Sequence, residues 1–534
     1  MPSDVLPPEA VPQAAAPSPT IPHINPWIIA ISVMFATFME VLDTTVVNVS
    51  LPHIAGSLSA TVDEATWTLT SYLVANAIIL PITGWLANQF GRKRLLISSV
   101  VGFTIASFLC GLAPSLFWLV VFRIMQGAAG GALQPLSQAV LLEAFPPQDR
   151  GKAMGFWGLG IVVAPILGPV LGGWLTETYS WRWVFYINVP VGIASILMTR
   201  AFIFDPPYIK GKRSGGIDFW GIGLLALWVG ALQIVLDKGQ EDDWFSSHFI
   251  QLLIAIAILG AIAWVAREYM AGHPVVDLRV LKNRTFSTGT ALMSIVGFVL
   301  YGSMVLLPVW LQTLLGYPAL QAGIAMAPRG MGSFIAMPLV GAVLPGRDPR
   351  KFLASGLVIS AGTLYALSRL NLNAGYWDFF WPQFVQGISL ALLFVPLTTI
   401  TMGLIPREQM GNATSLFNLM RNLGGSVGIA TTATLIARHQ QTHLNDLTQH
   451  VSAYNPQAQQ MLSTMKGMYQ SQGSGPVMAQ QQSLMTVWGM VQQQAAILAY
   501  IDVFVILSVI FLAILPLLFI MKKPPKSTGP VAMH

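Results

Sequence analysis

Two carboxylates and one guanidinium stand where an apolar sequence tolerates charge least. The stretch from Met39 to Asn48 sets Glu40 and Asp43 three residues apart, so a helix carries both on one face, with Asn48 roughly a turn further along. Arg123 lies in another apolar run. An ionised side chain at the centre of a membrane helix costs about 2.5–3.5 kcal/mol even on a lenient scale, so each of these groups needs a partner or a task. A guanidinium stays charged and takes a carboxylate in a forked geometry, which makes Asp43 and Arg123 natural partners. The chemistry open to them is reversible protonation. Apolar surroundings favour the neutral acid, an adjacent guanidinium favours the carboxylate, and a helix rearrangement can switch the balance, loading and releasing a proton. Asp43, Arg123 and Glu40 are therefore the expected proton site, against the plainer reading that the ions only fix helix packing. Glu40 is the less firmly placed of the three, being near enough to the helix end to reach an outer vestibule. For Arg329, Arg421 and Asp502 the plainer readings, snorkelling or an interfacial position, are the stronger ones.

The elements that must position these groups follow from composition. Of 534 residues, 54% are hydrophobic and 9% charged, against about 25% charged in a soluble protein. A spanning helix takes roughly 20 apolar residues, and the chain divides into runs at 27–51, 66–90, 95–112, 115–138, 154–175, 183–201, 219–236, 249–265, 287–311, 321–344, 352–370, 379–404, 411–436 and 497–521. The expected fold class is an all-α membrane protein with 14 transmembrane helices, arranged as two six-helix bundles plus two inserted helices. Its parts are a disordered cytoplasmic tail at 1–26, rich in proline, an N-terminal bundle at 27–205, the inserted pair at 206–270, a C-terminal bundle at 271–521 and a second tail at 522–534. Within the last bundle, 438–494 reads as a long outer loop rich in Gln, Met and Ser, with an amphipathic helix possible over 479–491. Such a length needs a reason, the median connection being about 4–6 residues.

Charge orients this plan. Placing both termini inside puts twenty of the 28 Lys and Arg in inner segments, among them Arg92, Lys93, Arg94, Lys210, Lys212, Arg213, Arg347, Arg350, Lys351, Lys522 and Lys523. That is the asymmetry expected of short cytoplasmic loops. One cysteine and eight scattered histidines leave no disulfide framework, no CxxC redox centre and no Cys/His metal cluster. An enzyme would need a convergent catalytic set, yet there is no P-loop and no HExxH pair. No cofactor is expected, the proton serving as coupling ion, and no nucleic-acid partner, because the basic residues are topology signals.

The two bundles echo each other. Gly84 to Arg94 has its counterpart in Gly341 and Gly346 to Lys351, and Arg123, Gln126 and Gly127 have theirs in Gln383, Gln386 and Gly387. Parallel six-helix repeats are a transporter architecture, with the substrate cavity at their interface. In the fifth run, Gly160, Ala164, Gly168 and Gly172 recur every fourth residue, a smooth stripe on which another helix can pack closely. Pro165 and Pro169 within it invite a kink.

On these motifs the chain resembles the major facilitator superfamily, specifically its fourteen-helix drug:proton antiporters of the EmrB/QacA type. Gly84, Asn88, Gly91 and Arg92 match the loop 2–3 motif, Arg123 to Gly127 the helix 4 motif, and Gly160 to Gly173, with Gly168, Pro169 and Gly172, the antiporter motif of helix 5. Leu42 to Pro52 matches the helix 1 motif, and the stretches Trp181 to Pro190, Leu236 to Phe245 and Trp381 to Gly387 look EmrB-like. The resemblance implies a proton-coupled multidrug efflux transporter working by alternating access, with proton-coupling roles for Asp43 and Arg123. An uptake symporter on the same fold is the alternative. The family often has Asp where this chain has Asn88, so the loop 2–3 latch lacks a full charge there or relies on Arg92. EmrB-like proteins sit in the bacterial inner membrane and work with an EmrA-like periplasmic adaptor and a TolC-like outer-membrane channel. The 438–494 segment is the candidate docking element. Asn48, Gln126, Phe156, Trp157, Tyr301 and Asp502 are candidate contacts for hydrophobic or amphipathic substrates, with core packing the default for the aromatic ones.

Overall fold

The computed structural model describes residues 25–205 and 218–521, apart from positions 147, 273 and 453. The two tails and the basic cluster Lys210, Lys212 and Arg213 lie outside the described residues. Among those described there is no strand.

The first bundle comprises α1 (Pro26–Ser57), the short α2 (Val62–Ala65), α3 (Trp67–Phe90), α4 (Arg92–Leu112), α5 (Leu116–Gly130), α6 (Leu133–Ala144), α7 (Arg150–Thr178), α8 (Trp183–Tyr186) and α9 (Asn188–Phe202). The inserted pair is α10 (Phe219–Lys238) and α11 (His248–Met270), and the second bundle is α12 (Arg284–Thr313), α13 (Ala319–Val343), α14 (Pro349–Ser368), α15 (Tyr376–Met402), α16 (Met410–His450), α17 (Pro456–Ser471) and α18 (Pro476–Ala513). Twelve helical segments of the described chain are long and apolar enough to cross a membrane, α5 joining α6 and α8 joining α9 as single segments. Two further long helices, α13 and α16, carry Arg329 and Arg421. The protein is a multi-pass membrane protein.

Local chemistry starts the helices where the apolar runs begin. Asn283 accepts hydrogen bonds from the amides of Thr285 (3.0 Å) and Phe286 (3.3 Å) at the head of α12, and Asp348 precedes Pro349 at the head of α14. These are the side-chain caps that orphan amides require. Asp218 accepts from Gly221 N at 3.0 Å to start α10 and also pairs with Arg267 of α11 at 3.0 Å, tying the inserted helices together at one end. Leu252, Ile258, Leu259 and Ile262 of α11 are exposed, as a peripheral lipid-facing helix requires.

The sequence echo between the halves becomes a pair of contacts at the end of the molecule that carries the basic loops. A Cβ on Gly84, in α3, would lie 2.6 Å from the backbone nitrogen of Asn412 at the start of α16. A Cβ on Gly341, in α13, would lie 2.7 Å from the carbonyl oxygen of Gly151 at the start of α7. Each half thus presses a glycine onto the first turn of a helix of the other, closing this end. Gly84→Val is expected to insert into the membrane but lose most transport, because the backbone it meets cannot yield. Gly362→Val, which has open space around it, should change little in the same transport assay.

Beyond residue 436 the structure departs from the expected loop. α16 runs 41 residues and α18 runs 38, about 60 Å each at 1.5 Å per residue, twice the roughly 30 Å hydrocarbon core. Their distal parts form a hairpin projecting from the end opposite the basic loops. There α17 lies along α18, pinned by the Tyr469 hydroxyl to Thr486 Oγ1 at 2.7 Å. The segment is rich in Gln and Met, both good helix formers, yet it has no apolar run for a membrane-span reading to catch.

Candidate functional site

α1, α3, α5 and the α8–α9 turn converge on Asp43, which is 1% exposed. Arg123 Nη1 donates to Asp43 Oδ2 at 2.6 Å, while Gln126 Nε2 (2.8 Å) and Asn188 Nδ2 (2.7 Å) both donate to Oδ1. Arg123 is itself fully buried. Its Nε donates to the Thr68 carbonyl at 2.9 Å, Nη1 also reaches Gln126 Oε1 at 2.8 Å, and the guanidinium stacks 4.2 Å from the Tyr72 ring. Asn188 continues outward to Ser107 Oγ at 3.0 Å, and Ser107 donates to the Phe185 carbonyl at 2.8 Å. Every partner offers Asp43 a donor. A proton placed on Asp43 would turn an O–H toward those donors, so loading it requires the cluster to rearrange.

Glycines make the convergence possible. A Cβ at Gly127 would meet the Tyr72 carbonyl oxygen at 2.3 Å, so α5 can bring Arg123 against α3 only with glycine there. The α7 stripe packs on α1 immediately after Asp43: a Cβ at Gly168 would meet Thr45 Oγ1 at 2.1 Å, and one at Gly172 the Val46 carbonyl oxygen at 2.7 Å. Pro165 and Pro169 lie inside the same helix.

Glu40 is buried, not exposed to an outer vestibule as its position allowed, and Asn76 Nδ2 of α3 donates to its Oε1 at 2.9 Å. Nearby polar groups bridge the bundles. Arg421 Nη2 donates to Gln134 Oε1, and Asn418 Nδ2 donates to Gln138 Oε1 at 2.6 Å, joining α16 to α6. Arg329 is buried too, and its Nε and Nη2 find no hydrogen-bond partner among the described residues.

The loop 2–3 residues lie at the basic end. Gly91 has φ +86°, the left-handed region that favours glycine. Arg92 is buried in an ion pair with Glu143 of α6. Asn88 is half-buried, and the carboxylate at the head of α4 comes from Asp205, whose Oδ1 accepts from Lys93 N at 2.8 Å. Asp205→Ala is expected to cost about 0.5–2 kcal/mol, the usual loss of an N-terminal cap, read as a lower unfolding temperature in detergent.

The other candidate contacts are dispersed. Gln126 belongs to the Asp43 cluster. Asn48 is exposed, Phe156 packs edge-on against Trp27 at 5.7 Å, Trp157 Nε1 donates to Thr37 Oγ1 at 3.3 Å, and Tyr301 lies against Gly425. Asp502 meets two histidines at the base of the hairpin. The letters GxSxG occur at Gly424 to Gly428, but inside α16, with Ser426 Oγ donating to Gln233 Oε1 at 3.1 Å. A nucleophile elbow needs a strand-to-helix turn. Sequence reasoning gave Asn188 no role, although the Trp181 to Pro190 stretch had marked the segment. It missed Asp205 and Glu143 altogether.

Comparison with known proteins places this geometry. The family model "Major Facilitator Superfamily" matches residues 33–429. The chain is 39% identical over 505 residues to the Multidrug export protein EmrB of Escherichia coli, covering 94% of this chain and 96% of that protein. It is 37% identical over 508 residues to the Fatty acid resistance protein FarB of Neisseria gonorrhoeae, covering 94% and 97%. A crystal structure of the human organic anion transporter TETRAN shares the fold at a TM-score of 0.61 and 13% identity, over 93% of this chain and 100% of that one. The chain belongs to the Major Facilitator Superfamily, as an EmrB-like transporter.

Proposed function

We propose that this protein is a proton-driven exporter of hydrophobic and amphipathic toxic compounds in the inner membrane of a bacterium, with both termini in the cytoplasm. The observation that carries this reading is the buried cluster of Asp43, Arg123, Gln126 and Asn188, a titratable acid held by a fixed cation and two amides. Relatives along nearly the whole chain are named for multidrug export and fatty acid resistance. The charge census supports the orientation. The two halves rock about their interface, and Asp43 loads a proton from outside and releases it inside as substrate moves out. No other cofactor is required. A potential of 100 mV supplies about 2.3 kcal/mol per charge, enough for a roughly 50-fold gradient per proton.

The projecting hairpin supports a further partner, a periplasmic adaptor of the EmrA type leading to an outer-membrane channel of the TolC type. Tyr454, Val477, Met485 and Trp488 are exposed on it, a surface suited to apolar contact. The test of direction is transport in everted vesicles: a proton-loaded interior should drive dye accumulation. Accumulation only in intact cells would instead identify an uptake symporter.

A further inference from the structure

At the base of the projecting hairpin, two histidines and an aspartate come together. His439 and His443 stand four residues apart on α16, so their rings share one face. Asp502 comes from α18. His439 Nδ1 lies 2.8 Å and His443 Nε2 2.7 Å from the same oxygen, Asp502 Oδ2, and the three ligand atoms all fall within 4.8 Å of one another. The side chains are 34%, 26% and 37% exposed, so all three are partly accessible.

We propose that His439, His443 and Asp502 form a three-ligand site for a borderline divalent transition ion, zinc above all, which clamps α16 to α18 at the base of the hairpin. Two imidazole nitrogens and a carboxylate oxygen are the donor set such ions take, whereas calcium and magnesium ask for oxygen alone. With bonds near 2.0 Å, tetrahedral ligands stand about 3.3 Å apart, so the two nitrogen–oxygen separations need open by only about half an ångström. Three protein ligands with an open fourth position make an exchangeable site, unlike a closed four-ligand structural centre. The scattered histidines of the sequence gave no cluster because Asp502 arrives from 59 residues beyond His443, although the His-x-x-x-His spacing was already visible.

The test uses the full-length protein in detergent, purified on a tag without histidine. Zinc titrated by calorimetry should bind one ion per chain and raise the unfolding temperature. His439→Gln, His443→Gln and Asp502→Asn should each weaken binding by more than about 100-fold, the upper range for losing a group that merely supports a ligand. His450→Gln, on the same helix outside the cluster, should bind as wild type. Cobalt added to the unaltered protein should give the visible absorption of a tetrahedral nitrogen and oxygen site, undisturbed by equal magnesium, which settles the matter even if a variant fails to fold. Wild-type protein that binds no zinc and shows no cobalt spectrum, or cluster variants that keep wild-type affinity, would overturn the proposal.

Discussion

Asp43→Asn is expected to abolish proton-driven export while leaving protein in the membrane. Asparagine keeps the size of the side chain but can no longer take up and release the proton. It also directs an amide donor into a shell of donors, Arg123, Gln126 and Asn188. Arg123, fully buried, loses its counter-charge. Removing one member of a buried ion pair costs about 3–5 kcal/mol, so a lower unfolding temperature accompanies the loss of transport. The double variant Asp43→Asn with Arg123→Gln separates the two effects. With no charge left to compensate, stability should recover most of that loss, whereas dye efflux from vesicles should remain at background. A pair that only fixes packing would recover both.

Gly172→Val is expected to have the next largest effect. A Cβ there meets the Val46 carbonyl oxygen at 2.7 Å and Val46 Cα at 3.3 Å, backbone atoms of the helix that carries Asp43. Neither can move without shifting α1 against α7. Overpacking of this kind costs about 1–3 kcal/mol, and the shift falls three residues from Asp43, so transport should fall further than stability. Gly173→Ala is the control, since its nearest neighbour, Val49 Cγ1, lies 4.0 Å away. Measured side by side, the first should stop efflux and the second should not. Equal activity in both would remove the stripe from the mechanism.

What the sequence makes legible follows the cost of each feature. An ion inside an apolar helix is so expensive that its partner can be named from the chain alone, and Asp43 and Arg123 meet as expected. The apolar runs fall within helical segments, although α16 and α18 extend well beyond theirs, and the glycine echo between Gly84 and Gly341 becomes two matched contacts. Neutral polar groups cost far less to bury, so Asn188 and Asn76 carry no comparable signal, and Gln126 reads as a substrate contact although it bonds Asp43. The hairpin was hidden for a different reason: a helix projecting into water needs no apolar run, only residues of good propensity. Asp205 illustrates a third limit. It caps α4 at the Lys93 amide from 112 residues away, and no local motif encodes that distance.

The central claim is that Asp43 exchanges a proton as the transporter changes state. Proton release from lightly buffered, purified protein on addition of a hydrophobic cationic dye reads this directly. The account predicts a substrate-dependent release in the wild type that disappears in Asp43→Asn, with dye binding still measurable. Release of the same size from the variant, or none from the wild type while dye binds, would contradict it.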